Sequence, residues 1–248
     1  MSIIYNILGT VLGLIFDFVQ NYGIALVLFT LIVKSLLLPL TINQTKSTKA
    51  MQDIQPKVQE IQEKYKNKPE KQQQEMMKLY QEAKINPLAG CLPLLIQMPI
   101  IMGLFAVLRE PWKYGIFESQ AAFEAADTSF LWLSNLTQAG DFGAILQGQI
   151  SVENLIIAIL SGGSAYLMQK TMMTTDPQQQ QTMQTMTYVM TAMSFVWGYT
   201  FPAGLGVYWI VSNLFSIGQY YLVVSPLKAK LAVTKEDTVN DKKPRNKK

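Results

Sequence analysis

The residue most able to do chemistry is Lys34, an ammonium set inside an apolar run from Tyr22 to Leu40. A lysine at mid-membrane costs about 2.5–3.5 kcal/mol on insertion scales. Lys34 lies six residues before Leu40, about 9 Å along a helix, so its flexible stem could carry the ammonium much of the way out. Ser35 beside it is the only conceivable partner for a Ser–Lys nucleophile. Adjacent helical residues point about 100° apart, which keeps the two groups from meeting within hydrogen-bond reach. Histidine is absent, which excludes imidazole bases, Ser–His and Cys–His pairs, and histidine metal ligands. The single cysteine, Cys91, excludes an internal disulfide and a Cys-rich zinc site. No phosphate-binding loop is present. The expectation is a protein with no catalytic machinery and no cofactor.

The elements that must hold Lys34 are apolar runs too long for a soluble core. Residues 1–21 read as an amphipathic interfacial helix. Asn6, Gly9, Thr10, Gly13, Asp17 and Gln20 form one stripe, and Ile3, Ile7, Leu8, Val11, Leu14, Ile15 and Phe18 the other face. Residues 22–40 are the first span, about 28 Å long at the helical rise, with Pro39 marking its exit. Residues 41–87 predict a helical hairpin outside the membrane: Met51, Ile54, Val58, Ile61 and Tyr65 recur at three and four, as do Met76, Leu79, Tyr80 and Ala83. Asn67-Lys68-Pro69 separates the arms, and Asp53–Lys57 and Glu60–Lys64 stand four apart with the acid first. Further spans are expected at 88–108, kinked at Pro93 and Pro99, and at 152–168, 184–200 and 203–224. Loops cover 109–151 and 169–183, and a basic tail covers 225–248.

Positive charge orients this series. The hairpin region 41–87 holds nine Lys and the tail after Ser225 eight Lys and Arg, whereas no base precedes Tyr22. The 109–151 loop has Arg109 and Lys113 against five acids. Five spans with the N-terminus outside put both basic regions in the cytoplasm.

Polar stripes then give Lys34 a setting. Thr30 lies one turn before it. Trp209, Ser212, Asn213, Ser216 and Gln219 follow one another at helical spacing, as do Thr187, Thr191, Ser194 and Gly198. Ser161, Ser164 and Gly162-Gly163 mark the third span and Gln97 the second. Any one stripe is an ordinary helix contact. Stripes in nearly every span, beside a lysine with no carboxylate inside the spans except Glu153 at an outer edge, predict a hydrated polar cavity. Met168, Met172, Met173, Met183, Met186, Met190 and Met193 crowd the third-to-fourth connection. Met is soft and suits varied apolar partners, and it also fills gaps in ordinary cores.

Several strings resemble the YidC membrane protein insertases, a family that includes the Oxa and Albino insertases. They are Leu31-Ile32-Val33-Lys34 with Pro39-Leu40, Asn86-Pro87-Leu88, and Gly90-Cys91-Leu92-Pro93-Leu94-Leu95-Ile96-Gln97-Met98-Pro99. Glu75-Met76-Met77 with Leu79-Tyr80, Phe201-Pro202-Ala203-Gly204-Leu205, and Tyr208-Trp209-Ile210-Val211-Ser212-Asn213 match as well, so the likeness runs in order over about residues 15–228.

The resemblance implies an all-α polytopic membrane protein of the bacterial cell membrane. Five transmembrane helices would surround a hydrophilic groove, with the N-terminal interfacial helix and the cytoplasmic helical hairpin outside it. The groove would open to cytoplasm and lipid and be sealed toward the outside. The family's groove cation is most often arginine, and Lys34 stands in its place. That departure keeps the charge and loses the bidentate fork. Thr30 and Trp209 fall where the family has groove residues; Gln97, Ser212 and Asn213 join them by the stripe argument. The partners implied are nascent membrane proteins, the Sec translocon, membrane lipids, and the ribosome through the basic tail. That tail (Lys242, Lys243, Arg245, Lys247, Lys248) reads equally as a solvated segment that fixes topology. A solute transporter would usually show repeated halves or discontinuous spans, and no convincing repeat occurs here.

Overall fold

A computed structural model describes residues 2–86, 92–171 and 177–226; Cys91, Met172, Met173 and the basic tail beyond residue 226 lie outside that set. The chain divides into two compact units, one of Met1–Leu36 with Gln97–Tyr220 and the other of Leu37–Ile96 with Tyr221–Lys248.

In the first unit, α1 (Ser2–Val19) packs on α2 (Tyr22–Leu36), α2 on α11 (Ala203–Gln219), α11 on α9 (Val152–Thr171), and α9 on α10 (Pro177–Thr200). α6 (Leu92–Arg109) adds Leu104, Val107 and Leu108 to a core that also contains Leu12, Leu26, Phe29, Ile157, Leu205 and Tyr208. Pro93 falls in the first turn of α6, where an amide hydrogen would have no helical partner. Pro99 sits inside the helix, which continues through it.

The sequence misassigns the faces of α1. Gly9, Leu12 and Gly13 are its buried seam, and a Cβ on Gly9 would meet the Tyr114 side chain at 2.5 Å. Asn6, Thr10 and Asp17 form a narrow exposed strip, beside an apolar face on which Ile3, Ile7, Leu14 and Phe18 are all exposed. Small size, not polarity, placed the glycines: they let α1 approach the 3₁₀ turn Pro111–Tyr114 closely.

The segment between α6 and α9 holds short helices, α7 (Gln120–Ala125) and α8 (Phe142–Leu146), capped by Ser119 and Asp141. It also closes the start of α11. Pro202 offers no side-chain cap there, so the first free N–H groups need other acceptors. Ala203 N–H donates to the Gln138 carbonyl at 2.9 Å and Gly204 N–H to that of Leu136 at 2.7 Å.

In the second unit, α3 (Leu38–Asp53) begins after a break at Leu37, and Pro39 opens that helix where an exit from the span was expected. Proline in a first turn sacrifices no helical hydrogen bond, so it starts a helix as readily as it ends one. α4 (Gln55–Lys64) and α5 (Pro69–Glu82) pack together across the turn at 65–68. Gln72 Nε2 donates to the Gln62 carbonyl at 3.2 Å across the pair, and Lys78 pairs with Glu75 at 2.8 Å. Val58 is the buried residue of α4.

Two helix ends lie beyond the bounds expected for the spans. α9 continues to Thr171 and α10 already begins at Pro177, which shortens the expected 169–183 loop. Pro177 suits a first helical position, and the glutamines after it are good helix formers. Among the described residues, Ala203–Val224 is the one helical stretch long and apolar enough to cross a membrane alone, with 22 residues and mean hydropathy 1.2. Tyr22–Leu36 and Leu38–Gln44 qualify only when taken together, and the apolar part of α6, Gln97–Arg109, is shorter. α9 and α10 carry too many Ser, Thr, Asn and Gln for that test.

Candidate functional site

Lys34 occupies the last turn of α2, where a cation complements the partial negative charge of the helix end. Its side chain is half-buried, and Nζ donates to Ser216 Oγ on α11 at 3.2 Å. Ser216 in turn donates to the Ser212 carbonyl at 2.8 Å. Among the described residues no carboxylate pairs with Lys34. An ammonium has three donors, so this contact leaves two for water or an anionic ligand.

One turn from Ser212 on the same face of α11, the Tyr208 hydroxyl accepts from Gln97 Nε2 on α6 at 2.8 Å. Lys34, Gln97, Ser212, Ser216 and Tyr208 therefore form a polar line shared by α2, α6 and α11. Thr30 borders it but is fully buried, and its hydroxyl is spent on the Leu26 carbonyl at 2.7 Å. A Thr bonded within its own helix presents its methyl to neighbours, so Thr30 packs the wall.

The remaining two expected residues face elsewhere. Asn213 Nδ2 donates to Ser164 Oγ on α9 at 3.1 Å. Trp209 lies edge-on to Trp197 of α10, with ring centroids 5.5 Å apart at 74°. It borders a void of about 10 Å³ with Ser161, Gly198 and Gly206. That is room for one water, beside a buried Ser161 hydroxyl that has no partner among the described residues.

Sequence reasoning did not select Tyr208 or Ser216 as site residues. Both were legible by spacing, since Tyr208, Ser212 and Ser216 are four apart and share one face of α11. Tyr208 was hidden by its ring, which reads as core. Its hydroxyl must find a partner once buried, and that partner is Gln97.

The Gln97–Tyr208 bond is testable by a double-mutant cycle of Gln97→Leu and Tyr208→Phe. Each single change leaves a polar group without its partner, and the double change removes both. The cycle should return a coupling of about 1 kcal/mol in thermal or denaturant stability. Strict additivity would mean the two groups do not interact.

Comparison with known proteins supplies the biological frame. The family described as "60Kd inner membrane protein" matches residues 14–230. The membrane protein insertase YidC of Oceanobacillus iheyensis is 41% identical over 224 residues, covering 86% of this chain and 78% of that one. The YidC of Fusobacterium nucleatum is 37% identical over 228 residues, covering 90% and 98%. A solved structure, an active YidC insertase with its first transmembrane domain resolved, is similar with a TM-score of 0.61 at 30% identity. The match covers 90% of this chain, which spans 46% of that chain's length.

Proposed function

Since this chain belongs to the 60Kd inner membrane protein family, whose relatives are membrane protein insertases of the bacterial cell membrane, we propose that it inserts nascent membrane proteins through a hydrophilic groove around Lys34. Five helices cross the bilayer in this reading, with the N-terminus outside and the hairpin and basic tail in the cytoplasm. The N-terminal helix lies in the interface with its exposed face of Ile3, Ile7, Leu14 and Phe18 against lipid.

The observation that carries the proposal is the Lys34 ammonium, held among helices by a single serine, with no carboxylate partner among the described residues. A cation neutralised by an acid would be a structural pair. One held by a hydroxyl keeps its attraction for a mobile acidic group. A short hydrophilic tail of the substrate enters the groove from the cytoplasm and dwells near Lys34. Water there lowers the desolvation penalty of the tail. The apolar stretch then leaves sideways into lipid, and its burial drives the step without nucleotide hydrolysis. Gln97, Ser212 and Ser216 supply polar contacts along the way. Thr30 packs the wall, Trp209 packs on Trp197 of α10, and Asn213 ties α11 to α9. The Sec translocon, membrane lipids and the ribosome, the last through the basic tail, are the partners of this reading.

The test uses purified protein in liposomes, given a freshly synthesised single-span protein with a short acidic tail. Protease-protected insertion without added nucleotide is the expected result. Solute flux or substrate cleavage in place of insertion would overturn it.

A further inference from the structure

A second polar site lies away from Lys34, where α9 begins and α10 ends. A cavity of about 300 Å³ is lined there by Gln138, Gly140, Asp141, Gln149, Asn154 and Tyr199. Its wall is built closely. Gly140 N–H donates to the Tyr199 carbonyl at 2.8 Å, and a Cβ at residue 140 would sit 2.6 Å from the Tyr199 ring and 2.7 Å from that carbonyl. Glycine thus lets the loop lie directly on the end of α10. Asp141 Oδ1 accepts from Gly143 N–H at 2.7 Å, which fixes the carboxylate at the cavity and leaves its other oxygen unused by that bond. Tyr199 is 1% exposed and packs on Phe142, and its hydroxyl, which has no partner among the described residues, is sealed beneath the loop.

The lining offers oxygen acceptors: one carboxylate and the amide oxygens of Gln138, Gln149 and Asn154. No Lys or Arg contributes, and the 109–151 segment is acidic, with five acids against two bases. Such a set suits a positively charged donor. A divalent cation wants six or more oxygens and usually several carboxylates, which one aspartate does not supply. An ammonium needs three acceptors, and the volume is about that of ten waters, enough for one or two terminal residues of a chain.

We propose that this cavity binds the free amino terminus of an extended peptide. Asp141 holds its charge, and the amide oxygens of Gln138, Gln149 and Asn154 accept its remaining hydrogens. Identifying that peptide with the leading end of a translocated segment rests on the insertase reading and its orientation, which put this end of α9 and α10 outside. Binding is read without insertion, so failure of one is distinguishable from failure of the other.

The experiment uses the full chain in nanodiscs of phosphatidylglycerol, with ligand-observed saturation-transfer NMR as readout. The probes are trialanine amide, its N-acetylated form, and glycerophosphoethanolamine. The free amine should bind at least about tenfold more tightly than the acetylated peptide. Asp141→Asn keeps an oxygen for the Gly143 N–H and should erase that preference. Equal binding of the acetylated peptide, a preference that survives Asp141→Asn, tighter binding of glycerophosphoethanolamine, or no binding would each overturn the proposal.

Discussion

Lys34→Glu should reduce insertion of acidic-tailed substrates by at least about tenfold, while Lys34→Arg should stay within about threefold of the parent. The magnitude follows from how wet the groove is. Two unit charges 4 Å apart interact by about 1 kcal/mol in water and about 4 kcal/mol at an effective dielectric of 20. Reversal exchanges attraction for repulsion, so even the fully wet limit doubles to about 2 kcal/mol, about thirtyfold in an equilibrium. Arginine keeps the charge, and Ser216, a single hydroxyl acceptor at 3.2 Å, makes no demand for a particular fork geometry. The assay is protease protection in liposomes, run beside a substrate with a neutral tail. Electrostatic attraction predicts that the neutral tail is far less sensitive to the reversal. An equal loss on both tails would instead mean that the Lys34→Glu change disrupts the α2–α11 contact, which the helix content and melting temperature of the variant would report. Undiminished insertion of the acidic tail by the Lys34→Glu variant would remove Lys34 from the mechanism.

Much of this site was legible from residue type and spacing, because a cation in an apolar run is conspicuous and a four-residue repeat fixes one helix face. Lys34 bonds Ser216 and Gln97 bonds Tyr208, and both partners share with Ser212 one face of α11. What spacing does not reveal is which neighbour each face meets. Asn213 and Ser212 are adjacent on α11, yet Asn213 bonds α9 and Ser212 belongs to the line facing α2 and α6. The same limit explains Thr30, whose hydroxyl found an acceptor one turn back in its own helix. The faces of α1 were misassigned for a related reason. Glycine is small as well as non-apolar, and in Gly9 and Gly13 the size decided. The polar helices α9 and α10 are the hardest to recognise by hydropathy. Asn154, Ser161, Ser164, Thr187 and Ser194 are buried between helices, so these elements need not be apolar to be interior.

Gly206→Ala should be strongly destabilising for a single added methyl, and it tests the seam that aligns α9 with α11. A Cβ on Gly206 would collide with Cγ2 of Ile157, which is only 1% exposed. The β-branched Ile157 has little rotamer freedom in a helix, so the helices themselves must part. Overpacking of this kind costs about 1–3 kcal/mol, equivalent to a fall of about 2–12 °C in melting temperature for a chain of this size. Parting would also stretch the Asn213–Ser164 bond of 3.1 Å, adding to the loss. Gly163→Ala is the matched control. It lies on exposed α9 surface with nothing within 4 Å of its would-be Cβ, so the usual helix preference for alanine should leave it neutral or raise stability by about 0.5–1 kcal/mol. Opposite signs in the same melting assay would show that close approach, not helix propensity, governs residue 206. If both alanines stabilise, α9 and α11 stand further apart than the Ile157 contact requires. The polar line through Lys34 would then have to be held in place by α2 and α6 alone.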